Sequence, residues 1–212
     1  MVEVSRGAWF IFLDSDDRLD LNCLSKLHYY IKQQNESLIS IVYANSYKIC
    51  EDKVVQEWKR SRPFEGSLLE NKFNYPIFHP IIYNRTKYNM TKGIDVNLKS
   101  ADDYDLWYKM EEVGRIDYLD EKLYYYRINP KGVSQVGEDL NKWLQVMLEH
   151  AYISANASGR RGLNARSELN EFAEVILMKI TAVNKSNCRR NKLKLKIINS
   201  FKYFSKIIIS SK

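Results

Sequence analysis

The sequence is poor in cysteine and has no long apolar run, and both shortages narrow what the chain can be. Cys23, Cys50 and Cys188 lie far apart with no C-x-x-C spacing. That argues against a zinc site and against a disulfide framework, so a reducing cytoplasm is the default expectation. No stretch reaches the roughly 18 consecutive apolar residues that a membrane span needs. Met1-Val2-Glu3 is not followed by the apolar core of a signal peptide. Internal repeats and low-complexity tracts are missing as well. What remains is ordinary for a soluble globular protein: 212 residues, 45% hydrophobic and 28% charged. That length can bury one good core with an appendage. Fifteen tyrosines and eight phenylalanines argue against disorder. The net charge of +7 is uneven, because the last segment carries much of it.

The chain is organised around Phe10-Ile11-Phe12-Leu13-Asp14-Ser15-Asp16-Asp17. A short aromatic-rich apolar run, bounded by Gly7 and by carboxylates, reads as a buried strand of the parallel type. Asp14, Asp16 and Asp17 then fall at its carboxyl end, where open α/β sheets place their ligands. Carboxylates repel one another, so a cluster needs a reason. A divalent cation with bound phosphate is one, since hard oxygen donors suit magnesium or manganese. The other is a helix start, with Asp16 or Asp17 capping the next helix.

Apolar spacing predicts a helix over residues 20–34 with Leu21, Leu24, Leu27, Tyr30 and Ile31 inward, and His28 reads as a surface or packing residue and not a ligand. Strands are expected over 38–49 and near 54–58, joined by a Glu51-Asp52 turn, and a short helix over 68–71. His79 sits between two prolines in an apolar segment, Pro76 to Tyr83, and is held in a fixed place. A short helix over 84–89 leads to a turn at Gly93. A helix starting at Asp102 or Asp103 turns Leu106, Met110 and Val113 inward and ends at Gly114. Those aspartates either cap the helix or aim a carboxylate into a cleft. Two short strands come next, over 116–119 and 122–127. The run Tyr124-Tyr125-Tyr126-Arg127 suits sugar stacking or phosphate, or else an edge strand ending in a solvated arginine. Residues 129–132 read as a turn. From Gly137 onward only helices are expected. The last, from about Arg189, is amphipathic and ringed by lysines. Such a helix fits an anionic membrane surface or the core of a helical cap.

With both acidic clusters placed, the chain resembles the inverting family 2 glycosyltransferases over about Ser5 to Ser134. Gly7 to Asp17 looks like that family's DxD segment. Gly93 to Trp107 looks like its G-x-D-x-x-L … E-D-Y-D-L-W block, with Asp102 in place of the usual glutamate. His79-Pro80, and Tyr126-Arg127 followed by Ser134, match further family features. The resemblance implies a GT-A type α/β nucleotide-sugar transferase domain over 1–135 and an α-helical, basic extension over 136–212. It implies Asp14 and Asp16 as metal ligands for Mn or Mg, with Asp16 the direct one, and Asp103 as catalytic base. Asp17, His79, Asp102 and Arg127 would contact donor or acceptor. The implied reaction moves a sugar from a nucleotide sugar to a glycan or lipid-linked hydroxyl with inversion, in lipopolysaccharide or capsule synthesis. The implied place is the cytoplasm, with peripheral contact at the inner face of the plasma membrane.

The family carries further strands and helices ahead of its DxD strand, where only nine residues precede Phe10 here. The domain is therefore expected to be partial, with an apolar strand edge left exposed. A catalytically inactive remnant that acts by binding is the alternative. Nucleic-acid binding has only the net charge behind it and no motif.

Overall fold

The computed structural model describes residues 2–129 and 139–186. Among these, the residues of 1–94 and 106–132 form one compact unit, and those of 95–105 and 133–212 form a second.

The first unit is built on a mixed sheet. Its described strands run in the order β1 (Trp9–Ile11), β5 (Ile81–Asn84), β3 (Ile39–Cys50), β6 (Arg115–Arg127) and β2 (Arg18–Leu19). β4 (Lys53–Trp58) continues the β5 edge of β3. β3 is the hub, buried from Ile39 to Ser46 on both faces, which is why apolar and small residues fill consecutive positions there. β5 runs antiparallel to both β1 and β3, and β6 runs parallel to β3. β1, β3 and β6 therefore point the same way, and their carboxyl ends share one edge of the unit.

Several expectations need correction. β1 is not a parallel strand: it pairs antiparallel with β5, and only Phe10 of its three residues is buried. Residues 116–127 are one strand, not two, because pairing with β3 carries β6 through two register shifts near its middle. Residues 68–71 form turns instead of a helix, since Glu70 reaches back to the backbone N–H of Ser67 and closes a local loop.

Helix α1 (Cys23–Gln33) covers one face of the sheet. Cys23, Leu27 and Ile31 pack on Ile39, Val42, Ala44, Ile82 and Leu123. Leu21 and Leu24 were expected on that face but are exposed. The helix starts later than the spacing suggests, because the Asp20 carboxylate accepts the Asn22 N–H at 2.9 Å and holds residues 20–22 in a turn. The i, i+4, i+8 stripe is then set by Cys23. His28 is exposed, which decides for the surface over packing. The β3–β4 connection is a two-residue turn in which Glu51 and Asp52 both adopt positive φ, 48° and 63°, the geometry that matches hairpin twist. Helix α2 (Arg85–Asn89) is capped by the Asn84 side chain.

Helix α3 (Asp102–Val113) passes from the second unit into the first. In the first unit Leu106, Trp107, Tyr108 and Met110 are buried, and Trp107 Nε1 donates to the Tyr83 hydroxyl at 3.0 Å. Gly114 ends the helix where a Cβ would stand 2.9 Å from the Ser40 Cβ and 3.0 Å from the Leu38 carbonyl. A side chain there would push the helix away from β3.

The second unit is a helical hairpin of α4 (Leu140–Arg160) and α5 (Ala165–Ser186). Asp139 caps α4 by accepting from the N–H groups of Asn141 and Lys142, and Gly162 turns the chain at φ +69°. Ala151 and Ala155 meet Leu169 and Phe172, while Trp143, Leu144 and Met147 meet Ile176 and Ile180. That pairing order makes the helices antiparallel. The expected turn over 129–132 falls almost wholly outside the described residues, and the expected basic helix from Arg189 lies entirely outside them. Among the described residues no helix is long and apolar enough to cross a membrane.

Candidate active site

The carboxylate loop leaves β1 at the shared edge. Phe10 stacks on Tyr83, and Phe12 meets both rings edge-on at about 5.5 Å, so the chain is pinned up to the residue before Leu13. Asp14 and Asp16 are exposed and Asp17 is half-buried. The loop closes on itself through the Asp17 N–H, which donates to the Asp14 carbonyl at 3.2 Å.

β6 braces this loop. The Arg127 N–H donates to Asp17 Oδ1 at 2.7 Å, and Arg127 Nε donates to the Asp16 carbonyl at 2.7 Å. Arg127 Nη2 reaches Asp52 at 2.7 Å, a residue of the β3–β4 turn. The arginine singled out for phosphate thus ties two loops together. Asp52 is held below its ordinary carboxylate range by that guanidinium. Sequence reasoning had no means of pairing residues 52 and 127.

Next to the loop lie three buried polar atoms that no other described group satisfies: Asp17 Oδ2, the Tyr124 hydroxyl and His79 Nδ1. The His79 ring stacks on Tyr124 at 5.2 Å. Burial raises the pKa of Asp17, helped by Asp16 and Asp14, while the Arg127 N–H and the Tyr124 hydroxyl oppose the rise. Burial lowers the pKa of His79 against the pull of Asp14. Tyr124 is pushed far up by burial and by the Asp17 carboxylate. Tyr124 and Asp17 face each other as hydroxyl and carboxylate, pushing the hydroxyl's pKa up and the carboxylate's down, at a geometry looser than a formed hydrogen bond. Unsatisfied buried polar groups are costly in a fold, and the three that lie together here are available to a polar ligand. Tyr124 is the member that its sequence context, one tyrosine of three in a row, did not distinguish.

The structure therefore brings Asp14, Asp16, Asp17, His79 and Arg127 to one edge of the first unit. Asp102 and Asp103 stand in the second unit, on the first turn of α3. Neither is the residue before the helix, as a cap would be. Asp103 is exposed, and its Oδ1 accepts the Tyr104 N–H at 2.8 Å. The loop ahead of them is fastened within the same unit by Glu149, which accepts from the Ser100 N–H at 2.8 Å, the Ser100 hydroxyl at 2.9 Å and the Lys99 N–H.

The donor chemistry of the loop fits a hard divalent cation, because Asp14 and Asp16 offer exposed carboxylate oxygens on one short turn. Among the described residues no three His, Cys, Asp or Glu side chains converge as a metal cage. The protein would supply part of a coordination shell and leave the rest to water or ligand oxygens, which suits an ion that bridges to phosphate.

Solved structures show what fold this is. The S. aureus protein TarS, residues 1–349 in complex with UDP-GlcNAc, superposes with a TM-score of 0.57 at 20% identity, covering 96% of this chain and 58% of that one. The same protein with UDP gives 0.56 at 17% identity. The fold is the one that TarS has. Among curated proteins, the chondroitin synthase of Escherichia coli is 26% identical over 143 residues, and a hyaluronan synthase of Pasteurella multocida is 25% identical over 140. These alignments cover 60% of this chain but only 18% and 13% of those proteins. The chain thus resembles glycosyltransferases, as its motifs implied. No family model matches it.

Proposed function

We propose that the chain transfers a sugar from a nucleotide sugar to a hydroxyl of a glycan or lipid-linked acceptor in polysaccharide synthesis. The observation that carries this reading is the Asp14–Asp17 loop, set at the carboxyl ends of three co-directional strands beside unsatisfied buried polar atoms. Its support from relatives is that TarS has been crystallised with UDP-GlcNAc and UDP, and that the aligned curated proteins are polysaccharide synthases.

In this reading Asp14 and Asp16 hold Mn or Mg, which when bound offsets the charge that builds on the leaving diphosphate. Arg127 and Asp17 keep the loop in place. His79 and Tyr124 offer hydrogen-bonding atoms to donor or acceptor. Asp103 takes the proton from the acceptor hydroxyl as its oxygen forms a bond to the anomeric carbon. The bond from that carbon to the diphosphate breaks on the opposite face, so the carbon inverts. Asp102, the residue before the base in the chain, contacts donor or acceptor. The basic segment from Arg189 brings the protein to an anionic membrane surface where lipid-linked acceptors lie.

The test is release of UDP from UDP-sugars with manganese present, comparing wild type with Asp103→Asn. Release slower by about 100-fold or more in the variant, with UDP affinity unchanged, is expected for a lost base. Equal rates would remove Asp103 from the chemistry.

A further inference from the structure

Several cations of the first unit are neutralised by carboxylates. Arg18, Lys26, Lys32, Arg115, Lys122 and Arg127 all meet carboxylates. Lys48 and Arg60 sit instead on one aromatic cluster. Lys48 Nζ lies 4.2 Å from the centre of the Trp58 ring, and the Arg60 guanidinium lies 4.7 Å from that of Phe78. Neither has a carboxylate partner among the described residues. The rings themselves form a cluster: Trp58 to Phe78 at 4.3 Å, Trp58 to Tyr126 at 5.0 Å and Phe78 to Tyr126 at 5.5 Å. An aromatic face fixes a cation in place without cancelling its charge. The result is a pair of positioned positive groups with unspent charge.

Sheet register fixes where this patch lies. Ser46 pairs with Trp58 on one side and Tyr124 on the other, and Lys48 pairs with Gln56 and Tyr126. Paired residues share a face, and so do residues two apart on a strand. Lys48, Trp58 and Tyr126 therefore share the face of Tyr124, with Trp58 level with it and Lys48 and Tyr126 one pleat further toward the carboxyl ends of β3 and β6. Phe78, immediately before His79, closes the patch from the other side. The Arg60 charge is felt at His79. The patch is thus continuous with the candidate active site and lies outside the Asp14–Asp17 loop.

We propose that Lys48 and Arg60, held by Trp58 and Phe78, bind the anionic group of an acidic acceptor saccharide, either a sugar carboxylate or a phosphodiester. Aromatic edges around the two cations supply surface for the carbon–hydrogen faces of the sugar rings, and the cations supply charge-assisted hydrogen bonds. This deepens the transfer reading, because it names the acceptor class for the same site.

The test is calorimetric titration of the full chain with four probes: a uronic-acid tetrasaccharide, the same tetrasaccharide with its carboxyls reduced to alcohols, a glycerol-phosphate oligomer, and UDP with manganese. Each is repeated on Lys48→Gln/Arg60→Gln, on Arg60→Gln alone and on the charge-keeping Lys48→Arg/Arg60→Lys. Arg60 is exposed beyond the end of β4, so its single variant folds even if the double one does not. At least one acidic oligomer should bind wild type about ten-fold or more tightly than the neutral tetrasaccharide. The glutamine variants should lose that preference, the charge-keeping variant should retain it, and UDP affinity should not move. Equal binding of acidic and neutral probes overturns the proposal, as does no binding of either acidic probe. A parallel loss of UDP affinity in the glutamine variants overturns it too, because the cations would then belong to the donor. Wild type that fails to bind UDP sinks the transfer reading alone and leaves the acidic-probe comparison standing.

Discussion

Acidification should destabilise the helical unit through one buried side chain. His150 on α4 is 8% exposed, and Tyr104 stands edge-on to its ring at 4.4 Å. Burial lowers its pKa from 6.5 to about 4, with the neighbouring Glu149 pulling weakly the other way. The unfolded chain therefore binds a proton between pH 6.5 and about 4 that the folded chain refuses. Stability from this source is complete above pH 6.5 and falls as pH drops toward 4. The whole gap corresponds to about 3 kcal/mol at about 1.4 kcal/mol per pH unit, and about 2 kcal/mol of it is lost by about pH 5. Urea unfolding at about pH 7.5 and about pH 5, for wild type and His150→Gln, reads this directly. Buried His79 titrates with the same sign, but it is common to both proteins and drops out of the difference. Wild type should lose about 2 kcal/mol more than the variant over that interval. Equal losses would refute the account of His150 as a buried neutral ring.

The packing and the site predict four further outcomes. Leu27→Ala empties a fully buried position between α1 and the sheet and should cost about 2–5 kcal/mol in urea unfolding. Cys23 is fully buried with its thiol pushed up to about 12, whereas Cys50 is exposed; a thiol reagent should modify Cys50 quickly and Cys23 only on unfolding, as mass spectrometry of digests would show. Arg127→Met removes the ties to Asp16 and Asp52 and should weaken UDP binding roughly ten-fold by calorimetry while changing stability by less than about 1 kcal/mol. Glu149→Ala frees the N–H groups of Lys99 and Ser100 and should cost about 1–3 kcal/mol, with faster hydrogen exchange at those two amides.

The sequence made the elements legible where periodicity was strong and the ends were marked. The short helix expected over 84–89, the Glu51-Asp52 turn, the stop at Gly114 and, among the described residues, the helices expected after Gly137 all appear close to their expected places. Legibility failed where long-range pairing decides. Nothing within Trp9 to Ile11 says that its neighbour is the antiparallel β5. The merging of 116–127 into one strand depends on how β3 accommodates the register shifts. Leu21 looked inward because the spacing fitted, and a single hydrogen bond to the Asp20 side chain moved the helix start past it. At the site, motifs picked out the carboxylates and His79, since clustered charge and flanking prolines are local signals. Tyr124, Asp52, Lys48 and Arg60 carry no local signal. Only pairing across the sheet brings them near residues dozens of positions away.

The most direct measurement on the central claim is calorimetric binding of UDP in the presence and absence of manganese, with wild type and Asp16→Ala. The account predicts binding that needs the metal and is lost in the variant, with the variant's fold intact by circular dichroism, because Asp16 is exposed and carries no packing. Wild type that is folded yet does not bind UDP, or that binds it equally well with Asp16 replaced, would contradict the assignment of the Asp14–Asp17 loop as the donor site.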